Sequence, residues 1–391
     1  VLNKKCLKNC VLLLMAVTLP VIMSLPAVAA SAPRVTSLAA SNFIGYAVKS
    51  DGTVWVWGYI GDGRLVSGWC AHSYVPVQVS GLTGVTAIAC GTTCTYALKS
   101  DGSVWAWGDN SKGELGNNTV QDSAVPVQVA GLADITAIAA AGGYRCALKW
   151  DGTVWTWGEQ GYKINNHTTE PVQVPGVTGV TAIAAGGGES GYALKQDGTV
   201  WAWGANYSGQ LGNSSTTDSD VPVRVQGLTG VTAIAAGGSS AYALKTDGTV
   251  WAWGYNHDGQ LGNNSVQDSA VPVQVVGLTG VTAIVGNGLY GYALKSDGTT
   301  WAWGYNGDGE LGNKSNINSA VPVQVSSPAD IVAVAGGLDA VYALRWDGSV
   351  WAWGCNDKGQ LGNCSTADSL DPVQVYGLTA ATGKAPVGLM R

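Results

Sequence analysis

Seven copies of one short motif, Asp-Gly-Thr/Ser-Val/Thr-Trp, punctuate the chain. They begin at Asp51, Asp101, Asp151, Asp197, Asp247, Asp297 and Asp347, with 50 residues in every interval except one of 46. A period near 50 is the mark of a propeller or solenoid, whose units bury their apolar faces only by stacking on one another. The 391 residues therefore form one repeat array and not several domains. The copies also act as an internal alignment. What all units share is the scaffold, and what differs between them is free to serve function.

One unit, residues 231–278, illustrates the local logic. Val231-Thr-Ala-Ile-Ala-Ala236 is a β-prone run that ends at Gly237-Gly238. Tyr242-Ala-Leu-Lys245 is a second strand, and Asp247-Gly248 suits a type I′ hairpin turn. In Val250-Trp-Ala-Trp-Gly254 the two tryptophans share one face by period-two alternation. A Gly- and Asn-rich loop then leads to a fourth strand, Val271-Pro-Val-Gln-Val275. Four short antiparallel strands per unit, seven times, predict an all-β, seven-bladed β-propeller. The units run approximately 35–82, 85–132, 135–177, 180–228, 231–278, 281–326 and 331–378. The fourteen tryptophans of the Trp-x-Trp pairs are expected between blades. The Asn and Gly residues of the long loops are expected to hold turns through side-chain-to-backbone bonds. Composition agrees: 56 Gly, 46% hydrophobic and only 12% charged residues suit many short strands with tight turns and exclude a disordered chain.

Residues 1–30 differ from the rest. Lys4, Lys5 and Lys8 precede an almost wholly apolar stretch to Leu25, and Ala27-Val28-Ala29 has the small residues a signal peptidase reads. This is the pattern of a secretory signal, leaving residues 31–391 as a single propeller with no membrane span, secreted or held at the cell surface or periplasm. Without its three lysines the mature chain carries 17 Lys and Arg against 26 Asp and Glu, a net charge of −9. That balance, with no basic patch, argues against nucleic acid as a partner.

Chemistry is hard to find. His72, His167 and His257 lie in three different units with no nucleophile paired to them, and no phosphate-cradling glycine loop is present. No catalytic residue, metal ligand or cofactor is assigned, and a non-enzymatic role is expected. Cys355 and Cys364 both replace non-cysteine residues within one loop, which makes them the best disulfide candidate in an exported protein; the pairing of Cys70, Cys90, Cys94 and Cys146 is left open.

Tyr242-Ala-Leu-Lys-Thr-Asp-Gly-Thr-Val-Trp-Ala-Trp-Gly254, followed by Asn256-His-Asp-Gly-Gln-Leu-Gly-Asn263, resembles the regulator-of-chromosome-condensation repeat, and the match recurs over residues 35–378. The resemblance implies a seven-bladed propeller. The family's eukaryotic founder is a nucleotide exchange factor for a small nuclear GTPase. That role is not expected here, because the segment after the Gly pair reads Gly238-Ser-Ser-Ala-Tyr242 without the founder's histidine, no wedge is inserted, and the chain is acidic with a secretory start. It is more similar to exported bacterial members such as the propeller-type β-lactamase inhibitory proteins, whose short links project into a partner.

Strand connectivity places the Gly238-Ser-Ser link and the long loop on one face and the Asp-Gly turn on the other. The links vary most, and Phe43, Ile44, Tyr144, Arg145, Leu289, Tyr290, Leu338 and Asp339 are the candidate contacts there. Trp69, His72 and Tyr74 in the aberrant loop of unit one, and Tyr162 in the shortened loop of unit three, are further candidates. The expected function is protein binding by a monomer, partner unknown. A structural surface protein is the alternative, and a propeller hydrolase or lyase a more distant one. N-terminal sequencing of the exported protein should find the chain starting after Ala29 or Ala30; retention of residues 1–29 would overturn the export signal.

Overall fold

The computed structural model describes residues 33–59, 72–159, 167–326 and 329–378. Its 28 strands form seven separate four-stranded sheets, each antiparallel and each in simple sequential order. In the fifth blade the strands are Val231–Ala236, Ser240–Lys245, Val250–Gly254 and Ser269–Gln274. Among the described residues no helix is long and apolar enough to cross a membrane.

The first strands of neighbouring blades lie against one another around a central axis, and the fourth strands form the rim. Burial follows this order. Second strands such as Ser240–Lys245 are buried on both faces up to their last residue, whereas fourth strands are largely open. The first strand of blade one, Val35–Ser41, packs on the first and second strands of blade seven, Ile331–Gly336 and Ala340–Arg345, so among the described residues the ring closes by packing with no strand shared between its ends. Trp57 of blade one is fully buried in that seam and donates its indole N–H to the Gln360 carbonyl at 2.9 Å.

This contact recurs at four further seams. Trp157 donates to Glu114 O at 2.9 Å, and Trp253 and Trp303 donate to Gln210 O and Gln260 O at 2.8 Å. The same carbonyls accept a tyrosine hydroxyl from their own blade, as Tyr96 does to Glu114 and Tyr242 to Gln260, both at 2.9 Å. The tyrosine ring also meets the next blade's indole edge-on, 5.5 Å apart for Tyr342 and Trp57. The two tryptophans of each pair are therefore not equivalent. The second lies at 6% exposure or less in every blade, and the first is only half-buried. The outer ring instead carries a lysine ammonium above it, 4.0 Å from the ring centre for Lys49 over Trp55.

The hairpin differs from the type I′ expectation. Gly248 N bonds to Lys245 O at 2.9 Å, and Gly248 alone in the turn has positive φ, 77°. This is a type I turn followed by a left-handed glycine, a three-residue hairpin loop. Asp247 keeps an ordinary φ because its carboxylate is engaged, accepting from Thr249 N at 3.0 Å and Thr249 Oγ1 at 2.6 Å. Trp251 Nε1 donates in turn to Thr249 Oγ1 at 3.3 Å, which accounts for the spacing of the sequence motif.

The long loop is organised by one buried asparagine, as its sequence suggests. Asn256 Nδ2 donates to Asn263 Oδ1 and to the carbonyls of Ser265 and Gln267, while its Oδ1 accepts from Leu261 N at 2.8 Å. Asn110, Asn206, Asn306 and Asn356 repeat the arrangement. Replacing such a hub strands several backbone groups at once. Asn256→Ala should lower unfolding free energy by about 1–3 kcal/mol, whereas Val276→Ala on the surface should stay within about 0.5 kcal/mol, as read from urea denaturation.

Candidate functional site

The links between first and second strands converge at one mouth of the axis. Small residues of the first strands, among them Ala40, Cys90, Ala141 and Ala236, line a basin of about 400 Å³ there. The links are stitched blade to blade through backbone, with Thr92 N on Gly142 O at 2.9 Å and Gly187 N on Gly237 O at 2.8 Å. A side chain at Gly237 would strike the carbonyl of Asn287 in the next blade, so the glycine pair is set by close approach and not by turn geometry.

Each link divides into an inward and an outward residue. The residue that opens the second strand is buried in every blade, and the residue before it sits at the surface layer. Burial corrects four of the sequence candidates. Ile44 is 1% exposed, in the core shared by blades one and two. Tyr144 is buried and its hydroxyl accepts Trp203 Nε1 at 2.7 Å. Blade three has the shortened loop, and Cys146 stands where the other blades carry tyrosine, so Tyr144 supplies the acceptor from two residues earlier. Arg145 is 3% exposed, with one nitrogen on Gly143 O and another 3.5 Å from Tyr96 Oη. Tyr290 is fully buried and donates to Gly337 O. None of the four can meet a partner without unpacking a seam.

Phe43, Leu289 and Asp339 are half-buried in outward positions, and Leu338 is 38% exposed. His72 and Tyr74 belong to the fourth strand of blade one, at the rim. Tyr74 packs over the loop of blade seven, where its carbonyl accepts Cys364 N at 3.1 Å. Trp69, Tyr162 and Cys70 lie outside the described residues. Sequence reading missed Tyr59, Tyr255 and Tyr305, which follow the Trp-x-Trp-Gly run and bond to the outward link residues: Tyr59 N to Phe43 O, Tyr255 N to Ser239 O and Tyr305 N to Leu289 O. Their position alternates between Tyr, Asp, Glu, Ala and Cys across otherwise constant units, and that variability was the available signal. Tyr207, 64% exposed, reaches the same face and bonds Ser239 Oγ at 2.6 Å. The opposite face has its own departures: Trp150 and Trp346, 71% and 67% exposed, occupy two of the seven hairpin turns.

The expected Cys355–Cys364 bridge is not formed, and Cys94 and Cys146 are buried free thiols. Cys355 N bonds to the link of its own blade at Asp339 O, and its thiol points to Asp357 Oδ1 at 3.5 Å. Cys364 instead leans on blade one with a left-handed φ of 62°. The Asn356 hub already holds this loop as in blades without cysteine, and the two thiols point to different neighbours.

Charge is uneven across the face. Between blades two and three a cavity of about 360 Å³ is lined by Asp109, Lys112, Glu114, Arg145 and Glu189, a mixture of signs. Between blades six and seven several acids lie near one another. Burial, with Asp308 and Asp339 nearby, pushes the Glu310 carboxyl up to about 7, and burial beside Asp308 and Asp357 pushes Asp339 up to about 6. A carboxyl raised in the folded state favours folding most below its unfolded pKa, and that contribution is lost as pH rises through the folded value. The stability of Glu310→Gln should therefore gain on the native protein between pH 4.5 and about 7, as read from urea midpoints at each pH.

Known proteins place this geometry. The regulator of chromosome condensation (RCC1) repeat matches residues 51–98, 101–148, 197–244, 247–286, 297–344 and 347–384. A second form of the repeat matches 85–114, 180–210, 231–260 and 331–360. The first form skips the hairpin of the short-looped third blade. No curated protein sequence matches the chain. Among solved structures, human WBSCR16 is similar with a TM-score of 0.74 and 23% identity, over 83% of this chain and 93% of that one. Prp20p from Saccharomyces cerevisiae, studied for its binding to Gsp1p and histones, gives 0.71 and 21% over 88% and 87%. The yeast RCC1 (Prp20) bound to Kap60 gives 0.73 and 20% over 91% and 89%. At these identities the likeness speaks for the fold, and the repeats covering most of the chain establish that it belongs to the RCC1 repeat family.

Proposed function

We propose that this chain is an exported, non-enzymatic propeller that binds another protein through the face carrying the links. One observation carries the reading. Side chains that differ from blade to blade lie on the link face, and the outward ones are rich in aromatic and aliphatic groups: Phe43, Tyr59, Tyr207, Tyr255, Leu289, Tyr305 and Leu338. Such residues are enriched among interface anchors, and they stand here on short, hydrogen-bonded segments that lose little freedom on binding. RCC1-repeat propellers are in general binding modules, and the Prp20 structures concern protein partners, which supports a protein ligand for this chain. The acidic balance of the mature sequence disfavours nucleic acid. Export rests on residues 1–30.

A standard interface buries about 800 Å² per partner, an area one face of a propeller can offer. Phe43→Ala, Leu289→Ala, Tyr305→Ala and Leu338→Ala should leave the fold intact. The partner captured by the native protein from the producing organism's surface and medium should bind at least one of these variants about tenfold or more weakly, about 1.4 kcal/mol. Trp150→Ala and Trp346→Ala on the hairpin face should bind normally. Loss of binding in that second set alone would assign the wrong face, and capture of nothing by the native protein would favour a structural role.

A further inference from the structure

The hairpin face departs from the repeat twice, and both times in the same way. The residue before the Asp-Gly pair is Ser50, Ser100, Gln196, Thr246 or Ser296 in five blades, but Trp150 in blade three and Trp346 in blade seven. The turn that leads into the first strand ends at Gly84, Gly179, Gly230 and Gly280 in blades two, four, five and six, and Arg34 holds that place in blade one. In blades three and seven the same turn ends at Asp134 and Asp330. The two substitutions therefore occur together, in two blades of the seven.

The altered positions are neighbours in space. Trp150 N donates to Asp134 O at 3.0 Å, and Trp346 N to Asp330 O at 3.1 Å. In blades two, five and six a β-carbon at Gly84, Gly230 or Gly280 would lie 3.4, 3.2 or 3.4 Å from the hydroxyl of Ser100, Thr246 or Ser296. Asp134 and Asp330 carry that β-carbon, so each carboxylate is rooted beside an indole. Both aspartates keep the left-handed backbone of the glycines they replace, with φ of 59° and 65°, a conformation that glycine adopts at less cost. Neither tryptophan is packed into the fold, in contrast to the buried tryptophans of the seams, and both aspartates are exposed as well. The next acid along is already spent: Asp151 Oδ1 accepts from Thr153 N and Oγ1, and Asp347 Oδ1 from Ser349 N and Oγ. In blade seven Arg345 replaces the lysine of the other blades. It donates to Ala329 O at 3.0 Å and Asp347 Oδ2 at 2.9 Å, and stands 3.9 Å from Asp330 Oδ2.

Equivalent turns lie at one level of the ring, and blades three and seven stand three places apart one way round and four the other. The hairpin face thus presents two like platforms on nearly opposite sides of the axis, each an open indole with a carboxylate at its edge. We infer that this face binds a polysaccharide of β-1,4-linked glucose or N-acetylglucosamine units, with one sugar ring on each indole. The equatorial substituents of such a sugar leave a flat face of C–H bonds that fits the negative face of indole, while its hydroxyls donate to the neighbouring carboxylate. A long chain, or a surface carrying many chains, occupies both platforms at once and multiplies two weak contacts. A bilayer fits less well, because a carboxylate beside each indole would lose its water against lipid. The inference concerns the face opposite the links and does not depend on the proposed function.

The test titrates the ¹⁵N-labelled protein with cellohexaose and, separately, with the hexamer of β-1,4-linked N-acetylglucosamine, reading the indole N–H signals. Trp150→Ser and Trp346→Ser assign the two signals by their loss, and each installs a residue that other blades carry, so both should fold. The Trp150 and Trp346 signals should shift saturably with at least one hexamer, and the tighter hexamer names the sugar. Asp134→Gly and Asp330→Gly, again residues of other blades, should weaken the shift at the adjoining indole about threefold or more. Retention on particles of the corresponding polysaccharide should fall about tenfold or more in either tryptophan variant. No saturable shift with either hexamer, undiminished binding by the Asp→Gly variants, or shifts confined to other indoles would each overturn the inference. Movement of the two signals by phosphatidylglycerol vesicles and not by sugar would overturn it in favour of a lipid surface. Phe43→Ala and Leu338→Ala should bind the hexamers as the native protein does; loss of sugar binding there would overturn the assignment to the hairpin face, whereas loss of a protein partner alone bears on the link face.

Discussion

At five seams among the described residues the ring depends on one carbonyl. Gln210, Gln260, Gln360 and their glutamate counterparts each accept an indole N–H from the following blade. Several accept a tyrosine hydroxyl from their own blade as well. A buried tryptophan contributes apolar area, but area alone would let blades slide. The bond to a fixed carbonyl sets the depth and rotation at which each sheet meets its neighbour, and leaving that polar group unmet in the dry seam would be costly. The long loop, in which a buried asparagine spends its amide on backbone, holds that carbonyl in place. Loop, tyrosine and tryptophan are thus one device, repeated around the ring.

Blade three shows how far the device can bend. Its loop is shorter in sequence, and Tyr144 Oη is the acceptor for Trp203. Arg145 follows at the next position and fills the neighbouring seam beside Glu114. In the sequence both residues are candidate partner contacts in a surface link. They instead fill two different seams, with partners 49 and 59 residues away.

The fold was legible because seven copies averaged out local ambiguity: blade number, strand order and the role of the loop asparagines all follow from what the units share. The hairpin type was misread, since Asp-Gly is compatible with two turns and the choice falls to the Asp247–Thr249–Trp251 chain of bonds. The link face was half legible. Period-two alternation decides whether Phe43 or Ile44 faces outward, and a strand start uncertain by one residue leaves that open. Tyr305 and Tyr255 were overlooked because they sit at the end of a constant run. The acidic seam joins Glu310 to Asp339 across two blades, a proximity that only the closed ring creates.

Ring closure itself has a further consequence. Many closed architectures lock by letting the last strand complete the first sheet. Here every sheet is built from consecutive residues, and blade one meets blade seven through the same kind of contact that joins any other pair. A gene rearranged to begin between any two blades would encode seven unbroken sheets, and loss or gain of a whole unit would leave each survivor's hydrogen-bonded ladder complete. Among the described residues no strand clasps the ring, so its blade number rests on packing between sheets, and such chains are free to change circumference one repeat at a time.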